Sequence, residues 1–348
     1  MNTLCDIIDP RSSPEWDSFV KSRKDATFFH TTAWVQVLCD SYGFTPRYIT
    51  LRDKNSIIAG LPVIAVRNIW GKQKAVSLPF SDFCGPLCDS GAEYEALLTC
   101  AIDLCKKNKW NDLELRGGQE FLKDKPEWSQ CFTHSLDLTK SESGLLAACR
   151  DSTRRNINKA RNQSIKITHE TTMSALHEFY RLNVLTRREH GLPPQPWFFF
   201  EKIQQEIIAQ GKGFILLAKI GGKFIAGNMF LIFGKKAYYK YGASDIRYQH
   251  LRPNNLVLWE GIKKCREYGC EDLNLGRTEK DHTGLSQFKR GFGCSETTIN
   301  YYLFKPSKNR FIKRGIKMRN LGLRKLIFSR IPISILRIIG NHLYKYVG

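Results

Sequence analysis

The chain has no paired C-x-x-C elements and its eight histidines never stand at ligand spacing, so the sequence predicts neither a zinc ribbon nor a His/Cys metal site. No run approaches the roughly 18 apolar residues that a membrane-spanning helix needs. The N-terminus, MNTLCDIIDP, lacks a basic segment ahead of an apolar core, so the expected compartment is the cytoplasm. Low-complexity stretches are missing, and 42% hydrophobic with 25% charged residues is ordinary globular material.

Acidic residues are also scarce: 33 Asp and Glu stand against 54 Lys and Arg, a formal net charge of +21. The scarcity is local. From Lys305 to Gly348 there are twelve Lys or Arg and no acidic residue, and from Arg150 to Lys166 six basic residues face Asp151 alone. The remainder is nearly balanced, so the excess marks partner surfaces rather than general solubility. The eleven cysteines are an odd number scattered through apolar segments and read as small buried hydrophobes. Cys84 and Cys88 in CGPLC are the one pair close enough to consider together.

What is present is a repeat. CKKNKWNDLELR (105–116) and CREYGCEDLNLG (265–276) match without a gap at Cys105/Cys265, Asp112/Asp272, Leu113/Leu273 and Leu115/Leu275. A second pair, SIIAGLPVIAV from Ser56 and KFIAGNMFLIF from Lys223, aligns through Ala59/Ala226 and Gly60/Gly227. Two pairs in the same order at offsets of 160 and 167 imply one duplicated unit. Each half reads as three strands, an amphipathic helix and a strand, with Gly221-Gly222 suited to a two-residue hairpin turn. The expected class is α+β: tandem domains, each a mixed sheet with packed helices, at 1–140 and 141–304, followed by a basic amphipathic tail at 305–348.

The segments RRNINKARNQSIKI, TRREHGLPPQPWFFF, FIAGNMFLIFGKKAYYKYGASD, YGCEDLNLG and GLSQFKRGFG follow one another as in FemAB-like proteins, the peptidoglycan cross-bridge aminoacyltransferases of the GNAT superfamily. The resemblance is strongest from Arg150 to Phe304. It implies two GNAT-like domains in tandem and acyl transfer to an amine on a cell-envelope precursor, from aminoacyl-tRNA or acyl-CoA as donor substrate, with no tightly bound cofactor. The acceptor would be a nucleotide-sugar or polyprenyl-linked precursor, and tRNA a partner. The turn YQHLRPNN has no glycine and Pro253 removes a donor N–H, which compromises the usual pyrophosphate cradle of acyl-CoA enzymes, although Arg252 and His250 can meet a phosphate. Only TRREHGLPPQPW separates the two helices where cross-bridge enzymes often carry a long helical arm, so the chain resembles the arm-less, FemX-like members, and the donor stays open. Two alternatives stand beside this: acyl-CoA-dependent N-acetyltransfer to an amino sugar in polysaccharide assembly, and a non-catalytic adaptor that binds a lipid-linked glycan.

Site candidates follow from residue chemistry. Lys289, in glycine-flanked GLSQFKRGFG, can set a point charge on a phosphate or a developing oxyanion, and the resemblance implies a place at the substrate site for Phe288 and Lys289; the plain alternative is a solvated loop. Replacing Lys289 with Ala is expected to abolish transfer and leave the fold intact. Arg187 and Arg188 carry forks suited to phosphate or carboxylate, or else decorate a helix C-terminus. Tyr239 and Tyr241 alternate with Tyr238 and Lys240 along a strand, so one pair is expected to face a cleft, with Tyr241 the substrate contact. Asp82, in PFSDFCGP, is a candidate general base in the first domain, or a turn residue. Arg154 and Arg155 open a basic helix that would hold the donor tRNA or a head group. The tail interleaves Ile, Leu and Phe with Arg and Lys, interrupted at Gly315, Gly322, Pro332 and Gly340, the pattern of interfacial helices on the anionic inner face of the cytoplasmic membrane.

Overall fold

The computed structural model describes residues 4–313 and 328–347; Gly315 and Gly322 of the tail lie outside the described residues. The chain divides into one unit of Met1–Cys131, Thr298–Met318 and Leu343–Gly348, and another of Phe132–Thr297 and Arg319–His342.

In the first unit the strands are β1 (Leu4–Ile8), β2 (Thr45–Pro46), β3 (Tyr48–Asp53), β4 (Ser56–Leu61), β5 (Ile64–Arg67), β6 (Gln73–Val76) and β7 (Leu113–Arg116), with helices α1 (Glu15–Ser22), α2 (Thr32–Tyr42) and α3 (Gly91–Lys107). SIIAGLPVIAV, read as one strand, is two. Pro62 has no N–H to give a ladder, so β4 stays with β3 in a small sheet, and β5 turns away to pair with β6 in another. Ser90 caps α3 by accepting the Glu93 N–H, and the face Tyr94, Leu97, Leu98, Ala101, Leu104, Cys105 recurs at helical spacing and is buried against Leu113 and Leu115.

The second unit contains β8 (Ser129–Asp137), α4 (Glu142–Ala148), α5 (Asp151–Arg161), β9 (Lys166–Glu170), α6 (Met173–Glu189), α7 (Trp197–Ile203), β10 (Gly213–Ile220), β11 (Lys223–Phe233), β12 (Lys236–Ser244), α8 (Pro253–Glu267), β13 (Asp272–Glu279), α9 (Thr283–Arg290) and the start of β14 (Ser295–Lys305). Its strands run in the order β13-β12-β11-β10-β9. Gly221 and Gly222 make the tight β10–β11 turn at φ +52° and +80°, as read from the sequence. Phe214, Phe230, Trp259, Ile262 and Leu273 are fully buried between the sheet and α8, each contributing about 1.5–3 kcal/mol. Gly261 lets α8 approach the Phe230 ring, where any Cβ would clash. SESGLLAACRDSTRRNINKARNQ, read as one basic helix, is α4 and α5, broken at Cys149–Arg150.

The duplication is physical. The N–H of Trp110 reaches the Cys105 carbonyl at 2.9 Å, and that of Cys270 reaches Cys265 at 3.0 Å. Asn111 donates to Gln73 at 2.8 Å and Glu271 to Lys235 at 2.7 Å. Each helix then delivers a strand that pairs parallel with the strand before it, Ala75 beside Leu113 and Ala237 beside Leu273.

Candidate active site

β12 and β13 pair only from Lys236/Asp272 to Tyr238/Asn274 and then part. Two local features turn them aside. In β13, Gly276 sits at φ +71°, a conformation open to glycine at little cost, and its N–H is held at 2.7 Å by the Asn274 side chain. In β12 the ladder with β11 slips: Met229 faces Tyr241 and Phe230 faces Tyr239, leaving Lys240 as the extra residue of a bulge. This corrects the expectation that Tyr239 and Tyr241 share a face. Tyr239 packs 5.7 Å from Phe230 on the α8 side, whereas Tyr241 turns to Phe200 of α7, 5.3 Å away.

Lys289 braces the diverging strand. It lies on α9 rather than in a glycine-rich loop and is 3% exposed. Its Nζ donates to the Gly276 carbonyl at 2.8 Å, the Arg277 carbonyl at 3.1 Å and the Thr278 hydroxyl at 2.9 Å, which engages all three of its protons. Phe288 stacks edge-on against Phe292 at 5.3 Å and packs on the core. One turn earlier, Ser286 meets a cluster that the sequence did not reveal. His134 Nε2 lies 3.2 Å from the Ser286 hydroxyl and 2.9 Å from Glu296, and Ser286 also bonds Glu296. A nucleophile relay needs its partners on opposite ring nitrogens; here both share Nε2, and buried Nδ1 has no hydrogen-bond partner among the described residues. Burial, and then the Lys289 charge, hold the imidazole below its ordinary value of 6.5 against the pull of Glu296. The cluster therefore ties α9 to β8 and β14.

A second group of side chains gathers at the far end of β12. The Thr186 hydroxyl donates to the Ser244 carbonyl at 3.0 Å and accepts its N–H at 2.9 Å, joining the last turn of α6 to the end of the strand. Asn254 of α8 donates to the Ser244 hydroxyl at 3.1 Å, bringing that helix N-terminus to the same place. Arg187 Nε reaches the Pro193 carbonyl at 3.5 Å, and Tyr241 donates to Gln195 Oε1 at 2.8 Å, so the proline-stiffened loop 191–196 binds two of the expected substrate residues together. Arg188 is half-buried beside them. Between the arginines and the loop stands Glu189, which the sequence reading passed over. Burial raises its carboxyl above 4.5, with Asp245 adding to the rise and the Ile246 N–H and Arg188 opposing it. Nothing in TRREHG singles Glu189 out; its environment comes from the fold.

His250 and Arg252 are exposed on the turn leading into α8. The turn has no glycine, yet Arg252 takes the left-handed conformation at φ +61°, and no side chain caps the helix. Arg154 does not face a ligand: its guanidinium donates to the Ala147 and Cys149 carbonyls at 3.0 and 2.8 Å and pairs with Asp151, closing the end of α4. Arg155 is exposed.

Asp82 belongs to the first unit, in a loop where Leu78 and Phe80 hold φ of +94° and +58°, and its carbonyl accepts the Tyr301 hydroxyl at 2.6 Å. Cys84 and Cys88 are separate buried thiols, both raised by burial, Cys88 to about 12. One pair of cysteines departs from the expectation of buried hydrophobes, since Cys5 and Cys100 are joined as a disulfide.

Residues 147–290, which hold every candidate above except Asp82, match the acetyltransferase (GNAT) domain. A lipid II:glycine glycyltransferase of Staphylococcus haemolyticus is 35% identical over 135 residues, 34% of this chain and 32% of that protein. One of Staphylococcus aureus is 32% identical over 121 residues, 30% of this chain and 29% of that protein. The chain thus spans about a third of the length of the curated relatives it matches. Among solved structures it is similar to FemX, with a TM-score of 0.70 at 17% identity over 85% of this chain and 96% of that one. It is also similar to a tandem GNAT protein from the clavulanic acid biosynthesis pathway, with a TM-score of 0.59 at 10% identity over 88% and 99%. The diverging strands, the helix that follows them and these matches agree: residues 147–290 are a GNAT acyltransferase domain, in a chain that is FemX-like in fold.

Proposed function

We propose that the chain catalyses acyl transfer to the amino group of a lipid-linked cell-envelope precursor, forming an amide. The observation that supports this most is the parting of β12 from β13, braced by Lys289, beside a GNAT-domain surface that gathers Arg187, Arg188, Glu189 and Tyr241. In this reading an activated acyl ester lies along the parted strands, and the arginine forks hold the acceptor's phosphates. Glu189, its carboxyl raised toward the working range of a base, takes the proton as the amine attacks the carbonyl carbon. The tetrahedral intermediate then expels the donor's hydroxyl or thiol, which is reprotonated. Lys289 keeps the β13 backbone in the shape that receives the donor.

Aminoacyl-tRNA is the proposed donor, following the glycyltransferase relatives. A second reading, acyl-CoA transfer to an amino sugar, is favoured by one feature: the uncapped N-terminus of α8 beside Arg252 and His250, an anion site of the kind helices offer. Calorimetry with acetyl-CoA separates the two. Micromolar binding, about −8 kcal/mol, moves the assignment to acyl-CoA. No heat from folded protein, together with transfer of a labelled amino acid from charged tRNA to a lipid-linked acceptor, upholds the first reading, and transfer from neither donor overturns both.

A further inference from the structure

The terminal helix Ile333–Leu343 has two apolar faces and uses one of them within the second unit. Leu336 and Gly340 are buried, Gly340 so close to the Pro194 carbonyl that no larger residue fits, and the Arg337 guanidinium stands 5.3 Å over the Tyr180 ring. The helix is thus seated on the loop that carries Gln195, the partner of Tyr241. The opposite stripe, Ile335, Ile338 and His342 at i, i+3 and i+7, faces outward, with Ile335 47% and Ile338 58% exposed. Leu192 and Phe198, which flank the same loop, are 42% and 45% exposed. Cations rim this surface: Arg330 precedes the helix, Arg337 lies along it, and Lys202 stands 5.2 Å from the Phe198 ring. No acidic residue occurs from Lys305 to Gly348.

We propose that this face, the outward stripe of the terminal helix with Leu192 and Phe198, docks on an anionic lipid bilayer. Isoleucines on an outward helix face gain only if they leave water, and cations with no carboxylate among them gain at a surface of negative head groups. A nucleic acid has little to offer the isoleucines, and a second copy of the chain would bring the same cations against themselves. The inference deepens the reading above, because a lipid-linked acceptor is presented at such a surface and the docked helix would hold the 191–196 loop toward it. Vesicle binding needs neither donor nor acceptor, so the two proposals fail separately.

The test is flotation of the full chain with phosphatidylcholine vesicles, with and without phosphatidylglycerol, for the native protein and an Ile335→Ser/Ile338→Ser variant whose circular dichroism is unchanged. Association with the phosphatidylglycerol vesicles alone, weakened about tenfold or more in the variant, upholds the proposal. No association by the native chain, or equal association by the variant, overturns it. A concentration-dependent dimer lost in the variant gives the face to a second copy, and RNA binding weakened by the same substitutions gives it to nucleic acid; either result overturns the membrane assignment.

Discussion

Replacing Lys289 with Ala is expected to destabilise the second unit as well as stop transfer, contrary to the sequence-based expectation of an intact fold. The side chain is 3% exposed, and its ammonium satisfies two carbonyls and a hydroxyl on β13. Each acceptor left unpaired costs about 1–3 kcal/mol, and water entering the vacated space recovers part of it, so a net loss of about 3–5 kcal/mol is expected. Lys289→Arg should restore little, because a planar fork cannot meet three acceptors converging on one atom. The assay is urea unfolding followed by tryptophan fluorescence, with Trp259 reporting from the core of the unit. Acyl transfer is measured in parallel on folded protein. A Lys289→Ala chain unfolding at the native urea midpoint would refute the bracing role. Normal transfer by the folded variant would show that the shape of β13 does not depend on this amine.

Further outcomes follow from the same geometry. Glu189, if it is the base, must be deprotonated to act; because burial raises its pKa above 4.5, the acid limb of the rate profile should lie above the ordinary carboxylate range and vanish in Glu189→Gln. The same shift makes the ionised carboxylate unfavourable in the folded state, so its contribution to stability should fall as pH rises from 4.5 through the folded value, and Glu189→Gln should flatten that slope in urea titrations at a series of pH values. Tyr241→Phe removes the 2.8 Å bond to Gln195 and should cost about 0.5–1.5 kcal/mol, read as a raised KM for the acceptor with a smaller change in kcat. Gly242→Ala places a methyl on the Tyr239 hydroxyl and should lower the melting temperature by an overpacking cost of about 1–3 kcal/mol, relieved in Tyr239→Phe/Gly242→Ala.

The repeat and the strand-helix-strand order were legible because they rest on local periodicity: α3 and α8 show their faces in sequence, and Gly221-Gly222 names its own turn. The misses share another cause. α9 carries the Gly284 of GLSQFKRGFG inside it and ends at Gly291, so its composition resembles a loop; it is held as a helix by Lys289 and Ser286 reaching strands distant in sequence. The bulge at Lys240 leaves no mark on a tyrosine-rich strand, yet it reverses which tyrosine meets α7. Arg154 reads like Arg155 in a basic run, and only the break between α4 and α5 separates a structural arginine from an exposed one. Chemistry at single positions could be nominated from residue type, whereas burial and partners, which decide what each group can do, come from contacts that no spacing encodes.

The duplication also shows how one of the two copies lost the opening that the other keeps. In the gapless register of the repeat, Arg116 occupies the place of Gly276. In the second unit that glycine kinks β13 outward, and its carbonyl is given to Lys289. In the first unit the arginine turns its buried guanidinium onto the Leu78 and Ser81 carbonyls, both at 3.2 Å, and onto Glu114. Burial alone would raise the Glu114 carboxyl, but Arg116 and Lys74 hold it below the ordinary value, so the ion pair is kept charged inside the fold. The Ser77 N–H bonds the Glu114 carbonyl and the Ser77 hydroxyl takes the Arg116 N–H, lacing the strands together at the point where β12 and β13 come apart. The left-handed conformations of Leu78 and Phe80 are the strain of drawing that loop across, and they persist because Arg116 fixes both ends of it. A single residue at the kink thus separates a parted pair of strands that can receive a donor from a laced pair that cannot, which places acyl transfer in the second unit on structural grounds independent of any relative.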